Sequence, residues 1–400
     1  MYNFHERGLI MSRIIGTTAM GLRAPIIKTG DDLVEIVTNM VKEVSKEVKF
    51  HDRDVIAVTE SLLARSQGNY ANSDQIAKDF ANKFEADEVA ILFPIISRNR
   101  FSILLKSFAK SGKKLHICLS YPSDEVGNLL MDEMDLFNSN INPYKDVLSL
   151  EEFREVAGDY KHLFTGMDYP EFYKELAPNS EIHFLNNPVD ALKFTDNVLV
   201  SSIHNRELVK RQLVEAGGKT ILKLDEILDG PVDGSGYNPS YGLLGSNLST
   251  GEVVKLFPRD AQDFVERLQK NIIEVVGKNI EVMVYGDGAF KDPVGHIWEL
   301  ADPVVSPGFT EGLKGTPNEL KLKYVADNEL TGLSSEEAAE RFKKMVKEKD
   351  QNTDKNKTLG TTPRQITDLL GSLSDLISGS GDKGTPVVLI QGYFDNYSND

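Results

Sequence analysis

Short apolar strands alternate with polar helical segments between residues 114 and 227. The predicted strands are Leu115–Ser120, Glu181–Leu185, Asn197–Ile203 and Thr220–Leu224. The last helix, Arg206–Glu215, ends at two glycines, as helix C-caps often require. Strands that alternate with helices are typical of parallel sheets covered by helices. This alternation therefore predicts a small α/β unit within the chain.

The chain is longer than one ordinary hydrophobic core usually organises. Its 400 residues favour two domains, or one domain that carries a large insertion. The segment Asp229–Tyr241 is dense in Gly, Pro, Asp and Ser, which is typical of a linker. We therefore expect the α/β unit to end near this segment. Beyond it, the sequence predicts a helix at 261–276 and strands at 281–285 and 386–391.

Composition limits the classes of partner. The formal net charge of −16 argues against nonspecific binding to nucleic acid or anionic membranes, both of which attract positive proteins. No segment approaches the roughly 20 apolar residues of a membrane-spanning helix, and the first residues lack a signal-peptide hydrophobic region. Cys118 is the single cysteine, which fits a reducing compartment. We expect a cytoplasmic protein that binds neither nucleic acid nor membrane.

An acid-rich stretch follows the predicted strand 281–285. The strand ends at Gly286, Asp287 and Gly288, and three more carboxylates follow at Asp292, Glu299 and Asp302. Glycines beside Asp287 free the backbone to present its carboxylate, and converging carboxylates are the ligands that hard divalent cations prefer. Asp-Gly is also common turn chemistry, and acidic residues usually face water. A metal or phosphate site and a solvated turn both remain open from spacing alone.

Three other groups suit anionic ligands. Arg98 and Arg100 follow the apolar run 89–96, an arrangement suited to capture of phosphate or carboxylate, although surface ion pairing explains it equally well. Glu60 and Ser61 stand at the end of the predicted strand 54–59, which is a sensible ligand position. The loop 379–384, GSGDKG, follows a helix and precedes a strand, the reverse of a Walker motif. Anion binding by its backbone and ordinary turn chemistry are both left open.

Five blocks of the sequence, in order, resemble the coenzyme F-420:gamma-glutamyl ligase family. They are GLRAPIIKTGDDL, DVIAVTESLLARSQG, SNLSTGEVVKLFPRDAQDFVERL, EVMVYGDGAF and ISGSGDKGTPVVLIQG. The resemblance implies an α+β fold: a ligase-like core of mixed sheets and helices, interrupted by an inserted α/β unit. The implied division is 1–110 for the first part of the core, 111–235 for the insertion, and 236–400 for the second part, which carries the metal and phosphate site.

The resemblance also implies an activity. GTP or ATP would phosphorylate an acceptor carboxylate, and the amine of L-glutamate, or of a similar amino acid, would attack the acyl phosphate to form an amide. Two divalent cations, Mg²⁺ or Mn²⁺, and a homodimer belong to the implied enzyme. Its partners would be small molecules: the nucleotide, the amino acid and the acceptor. The alternative is a non-catalytic nucleotide- or metabolite-binding protein whose insertion recruits a partner.

The family roles carry over to named positions. Those that would line the nucleotide site are Ala24, Pro25, Ile26, Ile27, Glu60, Ser61, Arg65, Asn247, Gly379, Ser380, Gly381 and Asp382. Asp287, with Gly288 and Ser380, would bind metal, and we take Asp287, Arg98 and Arg100 as catalytic candidates.

The sequence departs from the family at three of these positions. Leu244 stands where a metal-binding aspartate is expected, Arg65 replaces the usual lysine, and Ser380 replaces a glutamine-type ligand. A missing carboxylate weakens a divalent site unless another residue supplies oxygen. We expect that Asp292, Glu299, Asp302 or Asp382 compensates for the loss, or that nucleotide specificity or catalysis has changed.

Overall fold

The structure is a computed structural model that describes residues 15–349, 364–379 and 381–396. Its strands are β1 (Thr18–Leu22), β2 (Val55–Thr59), β3 (Tyr70–Asn72), β4 (Glu88–Leu92), β5 (Lys114–Leu119), β6 (Leu148–Ser149), β7 (Ser180–Phe184), β8 (Asn197–Val200), β9 (Thr220–Lys223), β10 (Asn247–Thr250), β11 (Val253–Lys255), β12 (Glu281–Tyr285), β13 (Gly308–Phe309) and β14 (Val387–Gln391). Its α-helices are α1 (Leu33–Val44), α2 (Glu60–Ser66), α3 (Ser73–Lys83), α4 (Phe101–Ala109), α5 (Glu133–Asn138), α6 (Leu150–Ala157), α7 (Tyr169–Leu176), α8 (Arg206–Glu215), α9 (Ala261–Val276), α10 (Leu322–Glu329), α11 (Ser335–Lys347) and α12 (Ile366–Ile377).

A mixed sheet of five strands has hydrophobic clusters packed against both of its faces. Its order is β1-β14-β2-β12-β13, and β2 and β12 run parallel, with Thr59 opposite Tyr285. Helices α1 and α9 pack against each other and cover one face, while α12 covers the other. The first four residues of β2, Val55–Val58, are all apolar and buried, as expected for a strand that is covered on both faces. Two neighbouring parallel strands thus bring their carboxyl ends to the same edge.

A second sheet has the order β6-β7-β5-β4-β8-β9, in which only the edge strand β6 is antiparallel to its neighbour. The pairs β4–β5, β5–β7, β4–β8 and β8–β9 are all parallel. The parallel strands predicted from the alternation at 114–227 are therefore confirmed. Strand β4 also belongs to this sheet, although it lies before residue 111, where we placed the start of the inserted unit.

A small antiparallel sheet, β10-β11-β3, contacts both larger ones, because Ala71 and Val254 pack in the core of the six-stranded sheet and Lys255 reaches Glu60 at the end of β2. The expected linker at 229–241 is closely packed at this junction. Asn238 is buried and donates its side-chain N–H groups to the carbonyls of Phe257 and Pro258. The N–H of Gly236 donates to the carbonyl of Tyr70. The segment is therefore a fixed part of the fold and not a loose tether.

Mixed sheets and helices in this arrangement confirm the predicted α+β class. Helices α8 and α9 occupy the residues that the sequence predicts for them, and β12 does so as well. The sequence also predicts a helix start at Thr362-Pro363, because proline suits the first helical position, but these two residues lie outside the described part of the chain. Within the described part of the chain, no helix combines the length and apolar character that crossing a membrane requires.

Candidate functional site

The candidate site lies where the parallel strands β2 and β12 end side by side. Glu60 follows β2 directly, and Gly286 and Asp287 follow β12. Carboxyl ends of adjacent parallel strands are a common location for ligand sites in α/β structures. The pairing of these two strands therefore explains why acids more than 200 positions apart in the sequence approach each other.

Arg100 enters this edge from the other sheet. It lies in the loop between β4 and α4, and its guanidinium group contacts two carboxylates at once. NH1 donates to Oδ1 of Asp302 at 2.9 Å, and NH2 donates to Oδ2 of Asp287 at 2.9 Å. The side chain of Asp302 is only 2% exposed. Arg100 thus supplies positive charge inside the acid cluster and ties the two sheets together.

Gly286 allows the two acids to lie this close. Asp302 Oδ2 accepts a hydrogen bond from the backbone N–H of Asp287 at 2.8 Å. A Cβ atom at position 286 would lie 2.3 Å from the same oxygen, well inside van der Waals contact. The absence of a side chain at Gly286 is therefore a steric requirement of the Asp287–Asp302 arrangement.

A second ion pair lies at the same sheet edge, and it is buried. Lys255 on β11 donates to Oε1 of Glu60 at 2.7 Å, and both side chains are buried. Oε2 of Glu60 is buried and has no hydrogen-bond partner within the described residues. Lys255 also faces Asn247 in the register of β10 and β11. An unpartnered buried carboxylate oxygen is costly, so it marks an open acceptor position beside Arg100 and Asp302.

The electrostatics of the edge favour protonated carboxyls. Burial raises the pKa of Asp287 to about 7, and the neighbouring Asp302 adds to the increase while Arg100 opposes it. Burial likewise raises the pKa of Glu60 to about 7 against the opposing charge of Lys255. For Arg100, burial works against the charged form, but Asp302 and Asp287 raise its pKa above the ordinary value. Carboxyls that titrate near neutral pH are suited to proton transfer.

The predicted nucleotide-binding segments lie together beside this edge. The N–H of Ala24 donates to the carbonyl of Gly384 at 3.0 Å, which joins the first block to the glycine loop. Arg65 donates from Nε to the carbonyl of Ile27 at 2.6 Å, so its guanidinium group holds the backbone of the same block. Pro25 and Ile26 are exposed, as are Ser61, Gly381 and Asp382. Gly379 is hydrogen-bonded to Thr385, and Ser380 lies outside the described residues.

The remaining acids of the stretch occupy a different place. Asp292 and Glu299 line a cleft of about 440 Å³ together with Arg98. The opposite wall comes from the region predicted as the insertion and includes His162 and Tyr169. Oδ1 of Asp292 accepts hydrogen bonds from the N–H groups of Val294 and Gly295 and so fixes a turn. The structure therefore brings Asp302, but neither Asp292 nor Glu299, to the Arg100–Asp287 pair.

Comparison with models of known protein families gives one match that covers nearly the whole chain. A model of the family described as F420-0:gamma-glutamyl ligase matches residues 21–392, which include all three sheets except the first three residues of β1. The chain belongs to this family. This membership supports an enzyme that joins glutamate to an acceptor through an amide bond. No curated protein matches the chain.

The gamma-glutamyl ligase resemblance implies two divalent cations. The acid cluster does not fit these ions when its side chains have the arrangement described above. The oxygens of Asp287 and Asp302 that converge do so on Arg100. Leu244, where a carboxylate is expected, is buried among apolar side chains. Within residues 15–349, 364–379 and 381–396, no three metal-ligating groups of this cluster have ligand atoms within 4.8 Å of one another. Arg100 already supplies the positive charge between these two carboxylates.

Sequence reasoning missed two polar residues at this sheet edge, Lys255 and Asp375. Lys255 lies within the apolar strand run VVKLF, and a lysine at such a position signals a buried carboxylate partner. Asp375 accepts a hydrogen bond from the N–H of Gly288 at 3.0 Å. It lies on the amphipathic helix α12, where spacing gives no sign that it faces β12. Gly288 therefore contributes to the site through its backbone N–H.

Proposed function

We propose that the protein is a nucleotide-dependent ligase that forms an acyl phosphate on a carboxylate acceptor and transfers the acyl group to L-glutamate or a similar amino acid. An acceptor carboxylate oxygen attacks the γ-phosphorus of GTP or ATP and releases the nucleoside diphosphate. The amine nitrogen then attacks the acyl carbon, the acyl–phosphate bond breaks, and inorganic phosphate and one proton leave. The meeting of Glu60, Asp287 and Arg100 at one sheet edge is the observation that carries this proposal.

The nucleotide site is proposed for the segments joined by the Ala24–Gly384 hydrogen bond. Exposed backbone of Pro25, Ile26 and the glycine loop lies next to strand β2, where the N–H of Thr59 donates to the carbonyl of Pro386. Backbone donors in glycine-rich loops bind phosphate oxygens well. The Mg²⁺ or Mn²⁺ ion is proposed to arrive as part of the nucleotide substrate, because Arg100 already neutralises the acid pair.

The acceptor is proposed to bind in the cleft that Arg98 lines. Within the described residues, no group accepts a hydrogen bond from the exposed guanidinium of Arg98. An unpaired guanidinium binds carboxylate or phosphate through two parallel N–H donors. The neighbouring Arg100 points to the acid cluster, so the loop after β4 would connect the acceptor to the reacting edge. Asp287, with a pKa of about 7, is proposed to take the proton from the attacking amine.

Phosphate release tests the proposal. The full chain would be incubated with Mg²⁺ or Mn²⁺, L-glutamate, GTP or ATP, and a panel of carboxylate acceptors. We expect phosphate release that requires both glutamate and one acceptor, and a loss of at least about 100-fold in Asp287→Asn, as for groups that act in proton transfer. Asp159→Asn, at an exposed position away from the site, serves as the control. No turnover with either nucleotide across the panel would contradict the proposal.

Two observations favour the second candidate, a non-catalytic nucleotide- or metabolite-binding protein. Arg100 contacts both Asp287 and Asp302, and Leu244 stands where the family has a carboxylate. In that case calorimetry would detect GTP or ATP binding without turnover, and Asp287→Asn would leave the affinity unchanged. Calorimetry and phosphate release on the same preparation therefore separate the two candidates.

We also propose a homodimer, which the family resemblance supports, and a cytoplasmic location, which the single cysteine fits. An apolar cleft of about 580 Å³ near the first block offers a surface for association, and it is lined in part by Pro25, Ile36 and Met40. Light scattering on the purified chain tests the dimer. A monomer at all accessible concentrations would contradict it.

A further inference from the structure

A second cluster of metal-ligating side chains lies on the six-stranded sheet, away from the acid edge. His116 is on β5, and Glu181 and His183 are on the neighbouring β7. The parallel register places Glu181 opposite His116 and His183 opposite Cys118. Because side chains alternate along a strand, His116, Glu181 and His183 all project from the same face. Within the described residues, this is the one group of three such side chains that converge.

The three ligand atoms are spaced as the corners of a tetrahedron around one ion would be. Nδ1 of His116 lies 3.2 Å from Nε2 of His183. Oε2 of Glu181 lies 3.5 Å from the first nitrogen and 3.7 Å from the second. Zinc–nitrogen bonds of about 2.0–2.1 Å in tetrahedral geometry separate neighbouring ligand atoms by about 3.3 Å. The cluster matches this spacing without movement of the backbone.

Neighbouring residues hold the rings in this orientation. Nε2 of His116 lies 2.9 Å from Oε2 of Glu88, so that nitrogen carries the proton it donates and Nδ1 keeps its lone pair. The ring of Phe194 stacks on His183, with centroids 3.7 Å apart and planes 13° apart. A carboxylate on the outer nitrogen of a histidine is a recurrent support for metal ligands. The same arrangement without a metal is a hydrogen bond between the two imidazoles.

We propose that His116 Nδ1, His183 Nε2 and Glu181 bind one divalent transition-metal ion of the zinc class, with solvent as the fourth ligand and Glu88 as a positioning residue. Two imidazoles and a carboxylate form a ligand set that Zn²⁺ accepts. The side chain of Glu181 is 52% exposed and opens the site to solvent. Its other oxygen, Oε1, contacts Lys114 at 3.0 Å, which leaves Oε2 for the ion. The ion would link β5 to β7.

Competition for Zn²⁺ against a chromophoric chelator tests this site. The probe is Zn²⁺ alone, added to the metal-free full chain at neutral pH. We expect one equivalent to bind, with the affinity reduced at least about 100-fold in His183→Gln and about tenfold or more in Glu88→Gln. His51→Gln changes an exposed histidine outside the cluster and serves as the matched control. Zn²⁺ should also raise the unfolding midpoint of the wild type but not of His183→Gln.

Glu181→Gln is a second ligand variant that is expected to fold normally, because this exposed side chain can lose its charge without leaving a cavity. Its affinity should fall while its metal-free unfolding midpoint stays that of the wild type. Equal Zn²⁺ affinity in the wild type, His183→Gln and Glu181→Gln would overturn the proposal and leave the pair as a hydrogen bond only. A matching loss in His51→Gln would also overturn it, because the binding would then be unspecific.

Discussion

The ammonium group of Lys255 lies 2.7 Å from Oε1 of Glu60, and both side chains are buried between the small antiparallel sheet and the end of β2. Removing two charges from water is costly, and their attraction offsets that cost only when both are present. The contact joins residues 195 positions apart. It therefore holds β11 against the site and keeps the second Glu60 oxygen beside Arg100.

Lys255→Met is expected to lower the free energy of unfolding by up to about 3–5 kcal/mol at pH 8, above the Glu60 pKa of about 7, because it leaves a buried carboxylate without its cation. The double variant Lys255→Met with Glu60→Gln should recover part of this loss. Urea unfolding measures both values. Lys219→Met, which alters an exposed lysine paired with Asp196, should change stability by less than about 1 kcal/mol. Equal effects at the two lysines would contradict the assignment of a buried pair.

Gly286→Ala is expected to disrupt the acid pair. The new Cβ would meet Oδ2 of Asp302 at 2.3 Å, and that carboxylate is held by Arg100 and by the N–H of Asp287. We expect a loss of about 1–3 kcal/mol, the usual range for an overpacked position. Gly230→Ala is the matched control because no atom lies within 4 Å of its Cβ position. A variant as stable as this control would show that Asp302 can move freely.

Local sequence patterns were sufficient to predict the helices and strands. They were not sufficient to predict which side chains from distant elements contact each other. Strand β12 and helix α9 follow from hydrophobic periodicity and flanking turn residues, which are properties of contiguous sequence. The pairing of Arg100 with Asp287 spans 187 positions, and no local spacing encodes it. It depends on how two sheets meet. For the same reason, spacing grouped Asp292 and Glu299 with Asp302, whereas a turn directs them to the cleft.

Arg100→Met is expected to lower the free energy of unfolding by about 3–5 kcal/mol at pH 8, because two buried carboxylates would then share no cation. The loss should be smaller at pH 5, where Asp287 can take up a proton. Chemical denaturation at both pH values measures the difference. Arg98→Met provides the control, since that exposed guanidinium faces the cleft. Equal stability of both variants would contradict the role of Arg100 within the cluster.

The raised pKa of Asp287 predicts a pH dependence of stability. Between the ordinary aspartate pKa of 3.8 and the raised pKa of about 7, the folded state holds a proton that the unfolded state has released. The free energy of unfolding therefore falls as pH rises through this window. Asp287→Asn cannot titrate, so its stability relative to the wild type should increase by at least about 1 kcal/mol from pH 5 to pH 8.

Urea unfolding of the wild type and Asp287→Asn at several pH values within this window measures the predicted change. The attraction of Arg100 acts on the ionised Asp287 carboxyl and is already part of its pKa, so the change of the stability difference with pH follows the Asp287 proton. Asp159→Asn, at an exposed position, should follow the wild type at every pH. A difference between Asp287→Asn and the wild type that stays constant from pH 5 to pH 8 would mean that the Asp287 carboxyl is already ionised throughout, held so by Arg100.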